Sequence, residues 1–121
     1  MPIRKTFVVT FIPAILLLSV CLPVRLEAHP AREISVTYDK ATSLLKIVIV
    51  HESEDFDRHY IEKVWVSVNQ KERIRQSFSS QDDLQGLQLQ YKMFHLKKGD
   101  IITVECRCNI FGRQATSVEI E

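Results

Sequence analysis

The fold is decided by the stretch IITVECRCN, residues 101–109, near the end of the chain. Apolar and polar side chains alternate along it, so Ile102, Val104, Cys106 and Cys108 share one face of a strand. The two cysteines extend this apolar face from the core to its rim. A glycine-containing turn follows, and a further alternating segment comes after the turn. The end of the chain therefore predicts a β-hairpin.

Working outward, the rest of the chain after its first 28 residues divides into short runs rich in Val, Ile, Tyr and Thr, separated by polar turns. The run at 44–51 is apolar on both faces, which predicts a central strand. No segment after residue 28 has a sustained helical period. The pattern predicts an all-β fold, a seven-stranded antiparallel immunoglobulin-like sandwich. The other predicted strands are residues 33–38, 59–68, 74–78, 87–93 and 114–120.

The strand at 59–68 carries the only tryptophan of the chain. Alternation places Tyr60 and Val64 on one face and Ile61 and Trp65 on the other. Sandwich cores of this size bury a tryptophan and several aromatic rings. We therefore expect core packing for Trp65, together with Tyr60, Tyr91 and Phe94.

The N-terminal segment is typical of a secretory signal peptide. Two basic residues precede an apolar run at 7–22, and the small residue Ala28 closes the segment. We predict that residues 1–28 are removed and that 29–121 form the mature domain, exported to the periplasm or the extracellular space. An uncleaved membrane anchor and a lipoprotein acylated at Cys21 are the alternatives.

Charge and cysteine spacing narrow the choice of partners. The chain has a formal net charge of +1, so bulk charge gives no reason to expect a nucleic-acid partner or, after signal cleavage, a membrane partner. The sequence leaves open whether the protein forms a homo-oligomer. Cys106 and Cys108 are two positions apart on the predicted strand, so their Cα atoms are about 6.5–7 Å apart, at the limit for a disulfide. Cys106 is therefore expected as a core thiol, and Cys108, at the rim, as a possible metal ligand.

Two histidines lie on either side of an acidic loop. His51 ends one predicted strand and His59 begins the next, with ESEDFDR between them. Imidazole binds iron, copper and zinc, so the pair is a candidate for metal ligation. The alternative is that both are strand-end residues that bind no metal.

These residues resemble a known family. The sequence His59-Tyr60-Ile61, followed by Cys108-Asn109-Ile110-Phe111-Gly112, is similar to the iron domain of the desulfoferrodoxin and superoxide reductase family over roughly residues 33–120. The resemblance implies an immunoglobulin-like sandwich that binds a mononuclear non-haem Fe(II) and reduces superoxide to peroxide. It also implies that His51, His59 and Cys108 are the metal ligands. The implied partner is superoxide or a small redox partner.

The family's ligand set is matched in part. Phe111 stands at the position of the last histidine ligand, and the family's Glu-Lys-His loop has no counterpart before Leu44. Carboxylates of the 52–57 loop are candidates to complete the site. Three hypotheses follow: an iron-binding redox protein, a non-enzymatic binding module with a degenerate metal site, and a copper chelate formed by the imidazole and the free α-amino group of His29.

Overall fold

The computed structural model describes residues 29–121, which contain seven β-strands and no helix. It follows that no helix in this part of the chain is long and apolar enough to cross a membrane. The predicted signal peptide lies outside the described residues. The strands are β1 (Glu33–Asp39), β2 (Leu44–Val50), β3 (Ile61–Val68), β4 (Lys71–Ser77), β5 (Gly86–Lys92), β6 (Ile101–Cys108) and β7 (Arg113–Glu119).

The strands form two sheets, in the orders β1-β2-β5 and β4-β3-β6-β7. Every pair is antiparallel, and β1 contacts β7 across the two sheets. The prediction of an all-β fold with seven antiparallel strands is confirmed. The central position of β2 is confirmed as well, since it pairs with β1 on one side and β5 on the other.

The core lies between the two sheets and follows the alternation of the sequence. Ile102, Val104 and Cys106 of β6 are 0% exposed and Cys108 is 3% exposed, as the alternation predicts. Leu45, Ile47 and Ile49 of β2 belong to the same buried cluster as Ile102, Val104 and Cys106. Full burial of one such aliphatic side chain stabilises the fold by roughly 1.5–3 kcal/mol.

The start of β3 departs from the predicted alternation. The pairing of β3 with β6 has a register shift between Ile61 and Lys63. This irregularity brings Ile61 into the core with Val64, and both are 0% exposed. The prediction that Ile61 faces away from Val64 is therefore wrong, because an extra residue resets the phase of the alternation.

The prediction of core packing is also wrong for three aromatic residues, since Tyr60, Trp65 and Phe94 all lie outside the core cluster. Trp65 lies outside the core cluster, with the Arg113 guanidinium carbon 5.1 Å and the Arg107 guanidinium carbon 5.8 Å from its ring centroid. Cation–π contacts of this kind explain a half-buried tryptophan on the outer face of a sheet. Phe94 is 58% exposed, whereas Tyr91 packs against the core as predicted.

Candidate metal centre

Three histidines from three separate segments meet at one end of the sandwich. His29 precedes β1, His51 follows β2, and His59 precedes β3. One ring nitrogen from each lies within 4.8 Å of the others, and the ring centroids are 4.6–5.0 Å apart. Nitrogens bound to a single ion are roughly 3–4 Å apart. The three imidazoles, called here the histidine cluster, need small movements to bind one metal ion.

The position of His51 follows from the way β2 ends beside β5. The His51 N–H donates a hydrogen bond of 2.8 Å to the Gln85 carbonyl, and Val50 pairs with Gly86. A Cβ at Gly86 would lie 1.9 Å from the Ile49 carbonyl oxygen, so only glycine permits this approach. His51 is thereby fixed at the strand end, where it is 0% exposed.

Gln81, which is 3% exposed, orients the His51 ring. Its Nε2 donates to the carbonyls of His51 and Asp83, at 2.8 Å each. Its Oε1 accepts from the Ile61 N–H at 3.3 Å and lies 2.8 Å from His51 Nδ1. Because carbonyls only accept and a backbone N–H only donates, the orientation of the Gln81 amide is determined. His51 Nδ1 must therefore carry the proton.

Because Nδ1 carries the proton of the neutral ring, the other nitrogen of His51, Nε2, has a lone pair. A neutral imidazole has one N–H, which His51 already uses toward Gln81. Its Nε2 lies 3.3 Å from the carbonyl oxygen of His29, which cannot donate a hydrogen bond. A cation beside Nε2 would satisfy both atoms, as metal ions do when the second ring nitrogen is held by an amide or carbonyl.

His59 has an unsatisfied nitrogen at the same place. Its Nε2 is buried and has no hydrogen-bond partner within residues 29–121. An unpaired buried polar atom costs roughly 1–3 kcal/mol of stability, so its retention needs an explanation. A metal ion bound to this nitrogen provides one.

Burial keeps these rings in the neutral form that binds metals. It lowers the pKa of His51 below the ordinary value. The hydrogen bonds that the protonated ring would donate to Gln81 and to the His29 carbonyl oppose this lowering, and the charge of His29 adds to it. The pKa of His59 is lowered by burial first, and then by the charges of His51 and His29. At neutral pH both rings therefore offer lone pairs.

Asn109 holds the segment that carries His59. Its Oδ1 accepts from the Tyr60 N–H at 2.9 Å, and its Nδ2 donates to the Arg58 carbonyl at 2.9 Å. The Asn109 N–H also donates to the Tyr60 carbonyl at 3.0 Å. One side chain thus holds the backbone on both sides of His59.

Gly112 helps to position the segment that carries His29. Its φ is +101°, and a Cβ there would lie 2.7 Å from the nitrogen of Pro30. The absence of a side chain lets the turn after β6 pack against Pro30, next to His29. Asn109 and Gly112, which both follow β6, therefore position two histidines of the cluster.

The structure brings His51 and His59 together but leaves Cys108 outside the histidine cluster. Within residues 29–121, the group of metal-ligating side chains at this end is His29, His51 and His59. Cys108 Sγ lies 3.9 Å from Asn109 Oδ1. Cys108 and Cys106 are both free thiols, and burial raises the pKa of Cys106 to about 12, which fits its predicted place in the core.

The acidic loop supplies no carboxylate to the cluster either. Glu52 pairs with Arg32 at 3.2 Å and Asp55 with Arg58 at 3.8 Å, and Glu54 is exposed. Sequence reasoning missed Gln81, because a glutamine in the polar run SSQDD gives no signal of burial. The sequence indicates His29 only as an N-terminal chelator and gives no signal that it lies beside the other two histidines.

Comparisons with protein-family models, with curated proteins and with solved structures find no match to this chain. The functional argument therefore depends on the geometry of the cluster.

Proposed function

We propose that this protein binds one transition-metal ion at the histidine cluster. The proposal depends on one observation: three imidazoles each place a ring nitrogen within 4.8 Å of the others, and one of them, His59, has a buried Nε2 without a hydrogen-bond partner. Nitrogen ligands of this kind suit zinc, copper, iron and nickel. The tautomer of His51 that Gln81 imposes supports the proposal, because it presents a second lone pair to the same space.

The test is metal binding by the protein and by a variant without the unpartnered nitrogen. Metal-free protein is titrated calorimetrically with Zn²⁺, Cu²⁺ and, without oxygen, Fe²⁺; we expect one equivalent to bind. His59→Phe should abolish binding and keep or raise the stability of the metal-free protein, since it removes an unsatisfied buried nitrogen. His95→Ala is the matched control, because His95 is exposed and outside the cluster.

Failure of all three metals to bind would overturn the proposal. The protein would then be better described as a non-enzymatic β-sandwich binding module whose metal site is degenerate. Loss of binding in His95→Ala as well as in His59→Phe would also contradict it, since the effect would not be specific to the cluster.

A second candidate is a mononuclear non-haem Fe(II) centre with Cys108 as an additional ligand, which reduces superoxide. The observation in its favour is that Cys108 pairs with Ile61, two residues beyond His59. At such a centre Fe(II) would supply one electron, becoming Fe(III), and water would supply two protons, so that superoxide leaves as hydrogen peroxide. A thiolate-to-iron charge-transfer band that appears on oxidation and disappears in Cys108→Ser would support it. Its absence from the iron-loaded protein would eliminate Cys108 as a ligand.

We further propose that the sandwich is immunoglobulin-like and that the protein is exported. Antiparallel sheets of three and four strands with these strand orders support the first point. The basic residues, apolar run and small residue before His29 support the second. The intact mass of the protein recovered from outside the cytoplasm tests export, and a mass that retains residues 1–28 would contradict signal cleavage.

A further inference from the structure

The main chain of His29, as well as its ring, lies at the histidine cluster. The carbonyl oxygen of His29 is 3.3 Å from His51 Nε2, and the His29 ring centroid is 5.0 Å from the ring centroids of both His51 and His59. Within one residue, the backbone nitrogen lies roughly 3–3.5 Å from the carbonyl oxygen. The backbone nitrogen of His29 is therefore no more than about 7 Å from His51 Nε2.

We propose that cleavage after Ala28 turns the cluster into a four-nitrogen copper(II) site. The α-amino nitrogen and Nδ1 of His29 then bind the same ion in one six-membered chelate ring, and His51 and His59 supply the other two nitrogens. This inference rests on the proposed metal-binding function and names the fourth ligand and the metal.

Cleavage matters because it changes the chemistry of that nitrogen. In the uncleaved chain, the nitrogen of His29 belongs to the peptide bond with Ala28, and its lone pair is delocalised into the carbonyl group. In the cleaved chain it is a primary amine with a basic lone pair. The uncleaved protein offers three imidazoles to a metal, whereas the cleaved protein offers a chelate as well.

The segment after His29 holds this residue in place independently of residues 1–28. Ala31 is buried at 4% exposure, and the Arg32 N–H donates to the Val50 carbonyl at 2.8 Å, beside His51. Pro30 packs against Gly112 and restricts the backbone of the residue before it to extended conformations. Loss of the leader therefore leaves His29 at the cluster.

To form the chelate, His29 must exchange one hydrogen bond for a bond to the metal ion. His29 Nδ1 now lies 3.0 Å from the Pro30 carbonyl in an exposed hydrogen bond, and this nitrogen must turn toward the ion. Exposed hydrogen bonds of this kind are exchanged for bonds to water at little net cost.

The donor set selects the metal. Four nitrogens without a thiolate or a carboxylate favour tetragonal copper(II) or nickel(II), and copper(II) binds more tightly in the order of divalent first-row metals. Two carboxylates of the acidic loop, Glu52 and Asp55, are already paired with arginines. Zinc depends less on the chelate, because three imidazoles and a water molecule already complete its tetrahedral coordination.

The experiment compares the exported, processed protein with the same protein acetylated at its α-amine. Full-length chain is expressed, the exported product is purified, and its first residue is read from the intact mass. Acetylation removes the basic lone pair of His29 but keeps all three imidazoles. Copper(II) affinity is measured by competition with a chelator, zinc(II) affinity by the same method, and the number of nitrogen ligands by electron paramagnetic resonance.

We expect processing to leave His29 as the first residue. Acetylation should weaken copper(II) binding by more than about 100-fold, which is more than the loss of a residue that only hydrogen-bonds to a metal ligand would cause. Zinc(II) affinity should change much less. A first residue other than His29, or equal copper(II) affinity in both forms, would overturn the amine ligand while leaving the metal-binding function intact. Failure of both forms to bind either metal would overturn both.

Discussion

The replacement Gln81→Leu tests how the cluster is prepared for a metal. Leucine has a similar volume but no polar atoms, so it removes four hydrogen bonds at once. His51 and Ile61 are 0% exposed, so three groups lose their partner where water has little access: His51 Nδ1, the His51 carbonyl and the Ile61 N–H. The carbonyl of Asp83, an exposed residue, can be hydrated instead.

The expected magnitude follows from this count. Each buried group left unpaired costs roughly 1–3 kcal/mol, so with partial relaxation we expect the free energy of unfolding of the metal-free protein to fall by about 2–4 kcal/mol. Metal affinity should fall by about 10- to 100-fold, because His51 loses the partner that fixes its tautomer and ring orientation.

Urea denaturation of the metal-free protein and competitive metal titration measure the two effects. Gln90→Leu is the matched control, since Gln90 is exposed on β5, and surface changes of this kind stay within about 0.5 kcal/mol. If Gln81→Leu behaves like Gln90→Leu in both assays, the argument that Gln81 sets the tautomer of His51 is wrong.

Two further predictions concern pH and the turn after β6. Burial lowers the pKa values of His51 and His59, so the folded metal-free protein binds fewer protons than the unfolded chain. The stability that these two histidines contribute should therefore be fully present above about pH 6.5. It should decline as the pH falls through the pKa values of the folded protein. Urea midpoints measured across this range test the sign, and an unchanged midpoint would contradict it. Gly112→Ala should weaken metal binding and destabilise the fold more than Gly99→Ala, because both glycines have positive φ but only at Gly112 would a Cβ meet Pro30, at 2.7 Å. Equal effects of the two substitutions in denaturation and metal titration would show that the contact with Pro30 is unimportant.

Much of the sheet architecture could be predicted because alternation is a local signal. In β6 the inward residues repeat every second position without interruption, and β2 shows its central position by being apolar on both faces. The prediction failed where local rules do not decide. The register shift after Ile61 depends on pairing with β6, and Trp65 is held on the outer face by the arginines of β6 and β7.

The site was predictable only in part, because its members are brought together by tertiary structure. His51 and His59 could be chosen from their residue type and their flanking strands. His29 joins them because Pro30 packs on a turn from the other end of the chain. Gln81 comes from the loop between β4 and β5, and no sequence spacing links it to His51. Cys108 has the residue type of a ligand, but its sulfur is outside the group that converges.

X-ray absorption spectroscopy of the protein loaded with one equivalent of metal tests the histidine cluster most directly. We expect a first shell of nitrogen ligands that includes at least three imidazoles, whose outer ring atoms give a recognisable scattering pattern, and no sulfur. A sulfur ligand near about 2.3 Å, the distance of a metal–thiolate bond, or fewer than three imidazoles in the first shell, would contradict binding at His29, His51 and His59.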